Sequence, residues 1–254
     1  MRPPRFYHSE LRTGELELAA AEARHATGAR RLRRGDSVLL FDGCGAEAPA
    51  VIVRCGRQTI VRVAEVRQMP RAALHELTIV VAPPRTARQD ILVEKCTELG
   101  VAAIRPVRTV RGVAEVSGLR ADRWRRIAIA AAKQSEQAWV PTIHDPADLD
   151  QVLAELAGTD LILLADPARA AGPLAYLVPI RPVGRRVAAI IGPEGGLTEE
   201  EYLAAIAAGA QSCRITPTVL RVETAAIAMA AVILSALPTD AVPCRGGGSD
   251  SRVS

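Results

Sequence analysis

With 254 residues, 49% of them apolar, and a formal net charge of +4, the chain can bury a sizeable core as one large domain or as two of unequal size. Its longest apolar stretch, inside TAAIAMAAVILSALP, is shorter than the roughly 20 residues a bilayer-spanning helix needs, and MRPPRFYHSE at the front has no apolar core of signal-peptide type, so a cytoplasmic protein without a membrane span is expected. Cys44, Cys55, Cys96, Cys213 and Cys244 are scattered without a Cys-x-x-Cys pair, and the four histidines lack ligand spacing, which argues against a disulfide framework and against a metal site.

The charge is unevenly placed. Residues 1–72 hold 13 arginines against 8 acidic residues, whereas the remainder holds 19 basic and 20 acidic residues. Arg30, Arg31, Arg33 and Arg34 crowd into ARRLRRGD, a cluster able to bind a phosphate backbone. A solvated face competes with that reading, because the chain has only two lysines and uses Arg as its general surface cation.

From Asp36 the stretch DSVLLFDGCGAEAPAVIVRCGRQTIVRVAEV alternates apolar and polar residues between turn formers, with a hairpin signal at Asp42-Gly43. This predicts a small β-rich domain over 1–72. The pattern changes near Met69-Pro70: LTIVVA is a continuous apolar strand, and RQDILVEKCTELG carries helical spacing at Ile91, Leu92, Cys96 and Leu99 before Gly100 stops it. Strand and helix then alternate through VAAIRPV, ADRWRRIAIAAAKQSEQA, DLILLA, RRVAAIIG, a helix from Thr198, and VETAAIAMAAVILSAL. Short all-apolar strands between helices predict an α/β domain over 73–240 with a parallel sheet covered on both faces. Residues 241–254 read as a disordered tail.

The most informative stretch is VAAIIGPEGGLTEEEYLAAIAAGA, in which a buried strand runs into Gly192-Pro193-Glu194-Gly195-Gly196 and then a helix start. Thr198 and Glu201 are spaced as a capping box, and Gly209 is the natural helix end. The carboxyl edge of a parallel sheet is where ligands bind, and bare glycines let the backbone approach one closely. A P-loop needs Gly-Lys-Ser/Thr before its helix, and a dinucleotide fold needs Gly-x-Gly-x-x-Gly; neither is present, and three glutamates open the helix. A neutral or cationic nucleoside cofactor, such as S-adenosylmethionine, fits what remains; a tight turn with a strong cap is the alternative.

A second stretch, ITPTVLRVETAAIAMAAVIL, puts Arg221, Glu223 and Thr224 at the start of an otherwise apolar helix, where charge is costly unless it is paired or faces a ligand. Together, IIGPEGG and LRVETAA resemble the two cofactor-loop motifs of the SPOUT methyltransferases, specifically the 16S ribosomal RNA uracil-N3 methyltransferase family. LRRGDSVLLFDG, EKCTELGV and RWRRIAIAAAKQSEQAWVP resemble three further segments of that family in the same order. The chain departs from the pattern at Gln134-Ser135-Glu136-Gln137, where an Arg usually follows Gln-Ser; at RTVRGV, where Ser-Glu-Arg-Ser is usual; and at Thr216-Pro217, where a Leu-Gly step is common.

The resemblance implies a PUA-like β-barrel followed by a SPOUT parallel sheet with a C-terminal trefoil knot, a homodimer, and S-adenosylmethionine as cofactor. It implies methylation of N3 of a uridine in 16S rRNA or the small ribosomal subunit, without a metal. The cofactor site it implies comprises Leu163 and Leu164, Gly192, Glu194, Gly195 and Gly196, and Ile215, Leu220, Arg221 and Thr224. Uracil N3 is a poor nucleophile until its proton leaves, so Arg221 and Glu223 are the candidate catalytic pair: the first to stabilise the anion, the second to orient it or accept the proton. Glu194 has the alternative duty of bonding loop N–H groups. Arg5 and the Arg30 to Arg34 cluster are the expected RNA contacts, for a flipped or single-stranded target. A non-catalytic RNA-binding protein, and a SPOUT enzyme acting on ribose or on transfer RNA, are the competing readings.

Overall fold

The computed structural model describes residues 3–56, 58–71, 76–112, 121–174 and 186–235. The tail expected at 241–254 and the expected boundary at 72 lie outside these residues.

The front of the chain forms a six-stranded sheet from β1 (Arg5–Tyr7), β2 (Gly14–Glu17), β3 (Ser37–Phe41), β4 (Ala46–Arg54), β5 (Ile60–Val63) and β6 (Arg67–Gln68). Its order is β1-β3-β4-β5-β2, with β6 against β4, and only β1 and β3 run parallel. The expected hairpin at Asp42-Gly43 is present: the Asp42 carboxylate accepts from the Cys44 and Ala46 N–H groups, while Gly43 and Gly45 take φ of +77° and +99°. Alternate residues Val38, Leu40, Ala48, Ala50, Ile52, Val61 and Val63 point inward and bury Phe6 and Leu16 with them. Between β2 and β3 the chain makes α1 (Ala20–Arg24), which continues as a π-helical turn, His25–Ala29, directly before the arginine cluster.

The second sheet has eight strands, and every pairing in it is parallel. Its strands are β7 (Glu76–Val81), β8 (Ala103–Arg108), β9 (Thr142–Ile143), β10 (Ala147–Asp148), β11 (Leu161–Ala165), β12 (Gly172–Pro173), β13 (Arg186–Ile191) and β14 (Ala210–Arg214). The order is β10-β8-β7-β13-β11-β14-β12, with β9 against β8. Helices α2 (Thr86–Glu98), α3 (Ala121–Gln134), α4 (Leu149–Glu155), α5 (Glu199–Ala207) and α6 (Val222–Ser235) cover it. The apolar runs of the sequence acquire their meaning here. Leu77, Ile79 and Val81, with Leu161, Leu163, Val187, Ala189 and Ile191, pack toward α2, α3 and α6. Their neighbours Val80, Ile162, Leu164, Ala188 and Ile190 pack on the other face toward α4 and α5. A strand buried on both faces has no polar positions to spare.

The two sheets are joined at the end where the parallel strands begin. The segment after α3 carries the joint: the Gly45 N–H donates to Ala138 O, Val140 N–H to Gly43 O, and Trp139 Nε1 to Met69 O. Lys133 on α3 donates to both Glu22 oxygens at 2.7 and 3.0 Å and sits over the Phe6 ring. No helix among the described residues is long and apolar enough to cross a membrane.

Candidate functional site

The strands of the second sheet end in loops that converge on one cavity of about 370 Å³, within the usual size of a small-molecule pocket. Three adjacent strands supply its walls: β11 through Ala165 to Arg169, β13 through Gly192 to Leu197, and β14 through Ile215 to Leu220.

The glycine turn forms as its sequence requires. Gly196 N–H donates to Pro193 O at 2.8 Å, closing a four-residue turn in which Gly196 takes φ of +70°. A Cβ added at Gly192 would lie 3.3 Å from Leu197 Cγ, so the bare backbone there lets Leu197 seat against the turn. Thr198 then caps α5: its hydroxyl accepts from the Glu201 N–H, and Glu201 Oε2 accepts from the Thr198 N–H at 2.8 Å. The β11 loop is held in a similar way. Asp166 Oδ1 accepts from the N–H groups of Ala168 and Arg169; the Arg169 guanidinium bonds Asp166 and Glu199 and lies 3.6 Å over the Tyr202 ring.

A fourth wall comes from the loop after β8. Arg111 Nη1 donates to Gly195 O at 3.0 Å and more weakly to Leu197 O at 3.4 Å, and the Val110 N–H donates to Glu201 Oε1 at 2.8 Å. Glu201 therefore joins the helix cap to this loop with its two oxygens. The neighbouring Glu200 carboxyl is held below the usual carboxylate range, first by hydrogen bonding from backbone N–H and then from the Thr198 hydroxyl, with the Arg111 charge adding to both.

Of the residues expected at the cofactor site, Leu164, Gly192, Glu194, Gly195, Gly196, Ile215 and Leu220 line the cavity. Leu163 does not, being fully buried further from the strand end than Leu164 and Ala165. Arg221 and Thr224 are exposed and lie outside the lining. Glu223 is buried with its carboxylate turned toward α2, 3.6 Å from Arg88 Nε, and its Oε2 has no hydrogen-bond partner among the described residues. Glu194 is exposed, and among the described residues its carboxylate makes no hydrogen bond to the loop N–H groups. Arg5 is nearly buried and spends its guanidinium on Glu47 and Gln137 O, at 2.7 and 2.8 Å. By contrast Arg30, Arg31, Arg33 and Arg34 are all exposed, and none forms an ion pair among the described residues. Sequence reasoning missed Arg111, Asp166 and Arg169, whereas the loop from Ile215 to Arg221 that it expected around the cofactor supplies Thr216, Thr218 and Val219 to the lining. Asp166-Pro167 directly after an all-apolar strand was the available signal for one of them.

The donor set suits a nucleoside carrying a sulfonium. Leu164, Ile191, Leu197 and Leu220 give an apolar slot for a purine, the open strand ends supply backbone donors and acceptors, and Asp166 and Glu194 put negative charge near a cation. No lysine reaches the cavity, and three glutamates at the start of α5 disfavour a polyphosphate. Among the described residues no group of His, Cys, Asp and Glu could hold a metal ion.

Comparison with known proteins gives a consistent picture. Residues 70–234 match a family described as the RNA methyltransferase domain. The chain is 33% identical over 223 residues to the ribosomal RNA small subunit methyltransferase E of Mycobacterium tuberculosis, covering 83% of each chain. It is 31% identical to the protein of the same name from Synechocystis over 83% of this chain and 69% of that one. Among solved structures it is similar to a Legionella pneumophila methyltransferase in complex with S-adenosylmethionine, with a TM-score of 0.84 and 32% identity over 93% of this chain and 99% of that one. The Neisseria gonorrhoeae ribosomal RNA small subunit methyltransferase E bound to S-adenosylmethionine gives a TM-score of 0.81 and 29% identity over 92% and 98%.

Proposed function

Because this chain belongs to the ribosomal RNA small subunit methyltransferase E family of RNA methyltransferases, we propose that it methylates N3 of a uridine in 16S rRNA, using S-adenosylmethionine as cofactor. The observation that carries this reading is the cavity itself: a bare glycine turn and an apolar slot at the ends of three adjacent parallel strands, without the lysine of a P-loop. When bound, the cofactor supplies a methyl group on a sulfonium sulfur that departs as a neutral thioether, so the net reaction releases the N3 proton.

This chain's residues have three tasks in that reaction. The Pro193 to Gly196 turn, capped through Thr198 and Glu201, holds one wall in place before any ligand arrives, which lowers the entropic cost of alignment. Asp166 already accepts two bonds from its own loop and one from the Arg169 guanidinium, so it shapes the wall. Glu194 is the lining carboxylate without a partner among the described residues, and we assign it the acceptance of the N3 proton, directly or through one water. Arg221 and Glu223 lie outside the lining, so neither is assigned a role at the reacting atoms.

In this reading residues 1–72 form a PUA-like β-barrel that binds RNA through Arg30, Arg31, Arg33 and Arg34, and residues 73–240 form a SPOUT domain with a trefoil knot. The enzyme is a homodimer acting in the cytoplasm on 16S rRNA or the small subunit. Helix α6 supports the dimer: Glu223 is its one charged residue, and Ile227, Ala228, Ala231 and Val232 remain half-exposed beside α2, where Ile91 is 48% exposed. A helix apolar all round belongs in an interface or a core. The test is transfer of labelled methyl into small-subunit particles and free 16S rRNA lacking the modification, with the nucleoside identified by mass spectrometry. Appearance of 3-methyluridine supports the proposal; cofactor binding without transfer to either RNA rejects the assigned acceptor.

A further inference from the structure

We propose that Arg111 is the cation that receives the acceptor base, pairing with the uracil edge as negative charge develops on it. This rests on the reading of the cavity as a uracil-N3 methyl-transfer site. Among the described residues two arginines line the cavity, and they differ in what they have left to give. Arg169 is spent on Asp166, Glu199 and the face of Tyr202. Arg111 has only Nη1 engaged; among the described residues Nε and Nη2 make no hydrogen bond, and the side chain is exposed at the cavity mouth.

Its position is fixed from below. Nη1 is shared between Gly195 O and Leu197 O, and the stem crosses Gly195 so closely that a Cβ added there would lie 3.5 Å from Arg111 Cβ and 3.6 Å from Cδ. The Val110 N–H is anchored on Glu201, so the backbone carrying Arg111 moves with the cap of α5. A guanidinium tethered by one nitrogen presents the other two as a planar donor pair whose ordering has already been met within the protein. The deprotonating uracil spreads charge from N3 onto its two flanking carbonyl oxygens, and the donor pair converging on one of those oxygens stabilises it while leaving the N3 lone pair free for the methyl group. Val219, 89% exposed on the opposite lip, gives the base an apolar surface to rest against. Donors aimed at charge that appears only in the transition state accelerate the chemical step without tightening ground-state binding.

The experiment compares wild-type enzyme with Arg111→Ala and Arg111→Lys by cofactor titration calorimetry and by methyl-transfer kinetics on the RNA substrate across pH. The proposal expects Arg111→Ala to keep cofactor affinity within about twofold and to lose on the order of 100- to 1000-fold in kcat, with Arg111→Lys in between. It also expects the deficit of Arg111→Ala to shrink as pH rises and N3 deprotonates without help, and added guanidinium to restore part of the rate. A deficit equal at all pH accompanied by a tenfold weaker cofactor would overturn it, because Arg111 would then serve only as a clip for the glycine turn or hold the cofactor carboxylate. Full activity in Arg111→Ala overturns it as well. If wild-type enzyme transfers no methyl to RNA, the fault lies with the underlying function and not with Arg111.

Discussion

Reversing Arg33 and Arg34 to Glu tests whether the front sheet supplies RNA affinity independently of the methyl-transfer site. Both side chains are exposed and free of ion pairs among the described residues, so neither holds the fold together through charge. They lie in the turn before β3 of the sheet joined to the beginning of the parallel strands, whereas the cavity lies at the far end of those strands, which are five or six residues and so about 15–20 Å long. If each arginine neutralises one phosphate, losing two contacts reduces the slope of log affinity against log salt by about 1.4 for single-stranded RNA and about 1.8 for a duplex. Between about 50 and 200 mM salt the wild type should therefore lose about 7- to 12-fold more affinity than the variant. Filter binding to 16S rRNA over a salt series measures the slopes, and calorimetry with S-adenosylmethionine measures the cofactor. An unchanged slope would refute the assignment of this cluster to RNA; a tenfold loss of cofactor affinity would refute the separation of the two sites.

Gly45→Ala should loosen the joint between the sheets, since the new Cβ falls 2.3 Å from Trp139 Cζ2 at a residue with φ of +99°. Displacing the indole forfeits its bond to Met69 O and its contact with Arg71, and with the backbone strain this comes to about 3 kcal/mol, or a Tm lower by about 6–12 °C in a melt followed by tryptophan fluorescence. Thr198→Ala removes one arm of the capping box and should cost about 1 kcal/mol, seen as a Tm drop of about 2–4 °C; no change would mean the cap carries no stability. His25 and His144 are both held below the ordinary histidine value of 6.5, chiefly by burial, with Lys133 and Arg105 respectively adding to it. The unfolded chain then binds protons that the folded one refuses, so stability should be full above pH 6.5 and fall as pH drops through it toward the folded values. Urea midpoints between pH 7.5 and 5.5 measure this, and a His25→Asn/His144→Gln variant should give a flatter profile.

The elements that local chemistry determines were legible in the sequence. Gly100, φ +88°, ends α2 as expected; Thr198 and Glu201 form their box; and LTIVVA, LILLA and RVAAII are strands buried on both faces. What stayed hidden depends on facing and on distant pairing. Leu163 and Leu164 are adjacent in sequence, but the cavity meets only the last residues of β11, Leu164 and Ala165, and Leu163 is fully buried one step further down the strand. At the start of α6, Val222 and Ala225 share the face that lines the site, which turns Glu223 toward α2 and leaves Arg221 and Thr224 in solvent. A motif read as a block carried all of them into the pocket; the helical period divides them. Arg5-Phe6-Tyr7 is too short to announce a strand, and its parallel pairing with β3 skips β2 altogether. Arg111 reaches the glycine turn across 84 residues of sequence, a contact that no local pattern encodes.

The same joint that separates the two sites also fixes the distance between them, and this bears on the kind of RNA the enzyme can use. Gln137 bonds the last carbonyls of α2, Thr97 O and Glu98 O, while its own carbonyl receives Arg5 from β1, so one residue ties the front sheet to the core helix of the other. Lys133, paired with Glu22 where both side chains are about 15% exposed, adds a second tie. If the arginine cluster grips phosphates and the cavity accepts the base, as proposed, a fixed offset between them favours an acceptor that holds its own shape, since a flexible strand would bear the ordering cost itself. Assembled small subunits should therefore be methylated with a higher kcat/KM than free 16S rRNA. Lys133→Met leaves Glu22 unpaired at the joint and should narrow that preference while leaving cofactor affinity intact. Equal kcat/KM on both substrates in the wild type would show that the offset between the sheets does not select the acceptor.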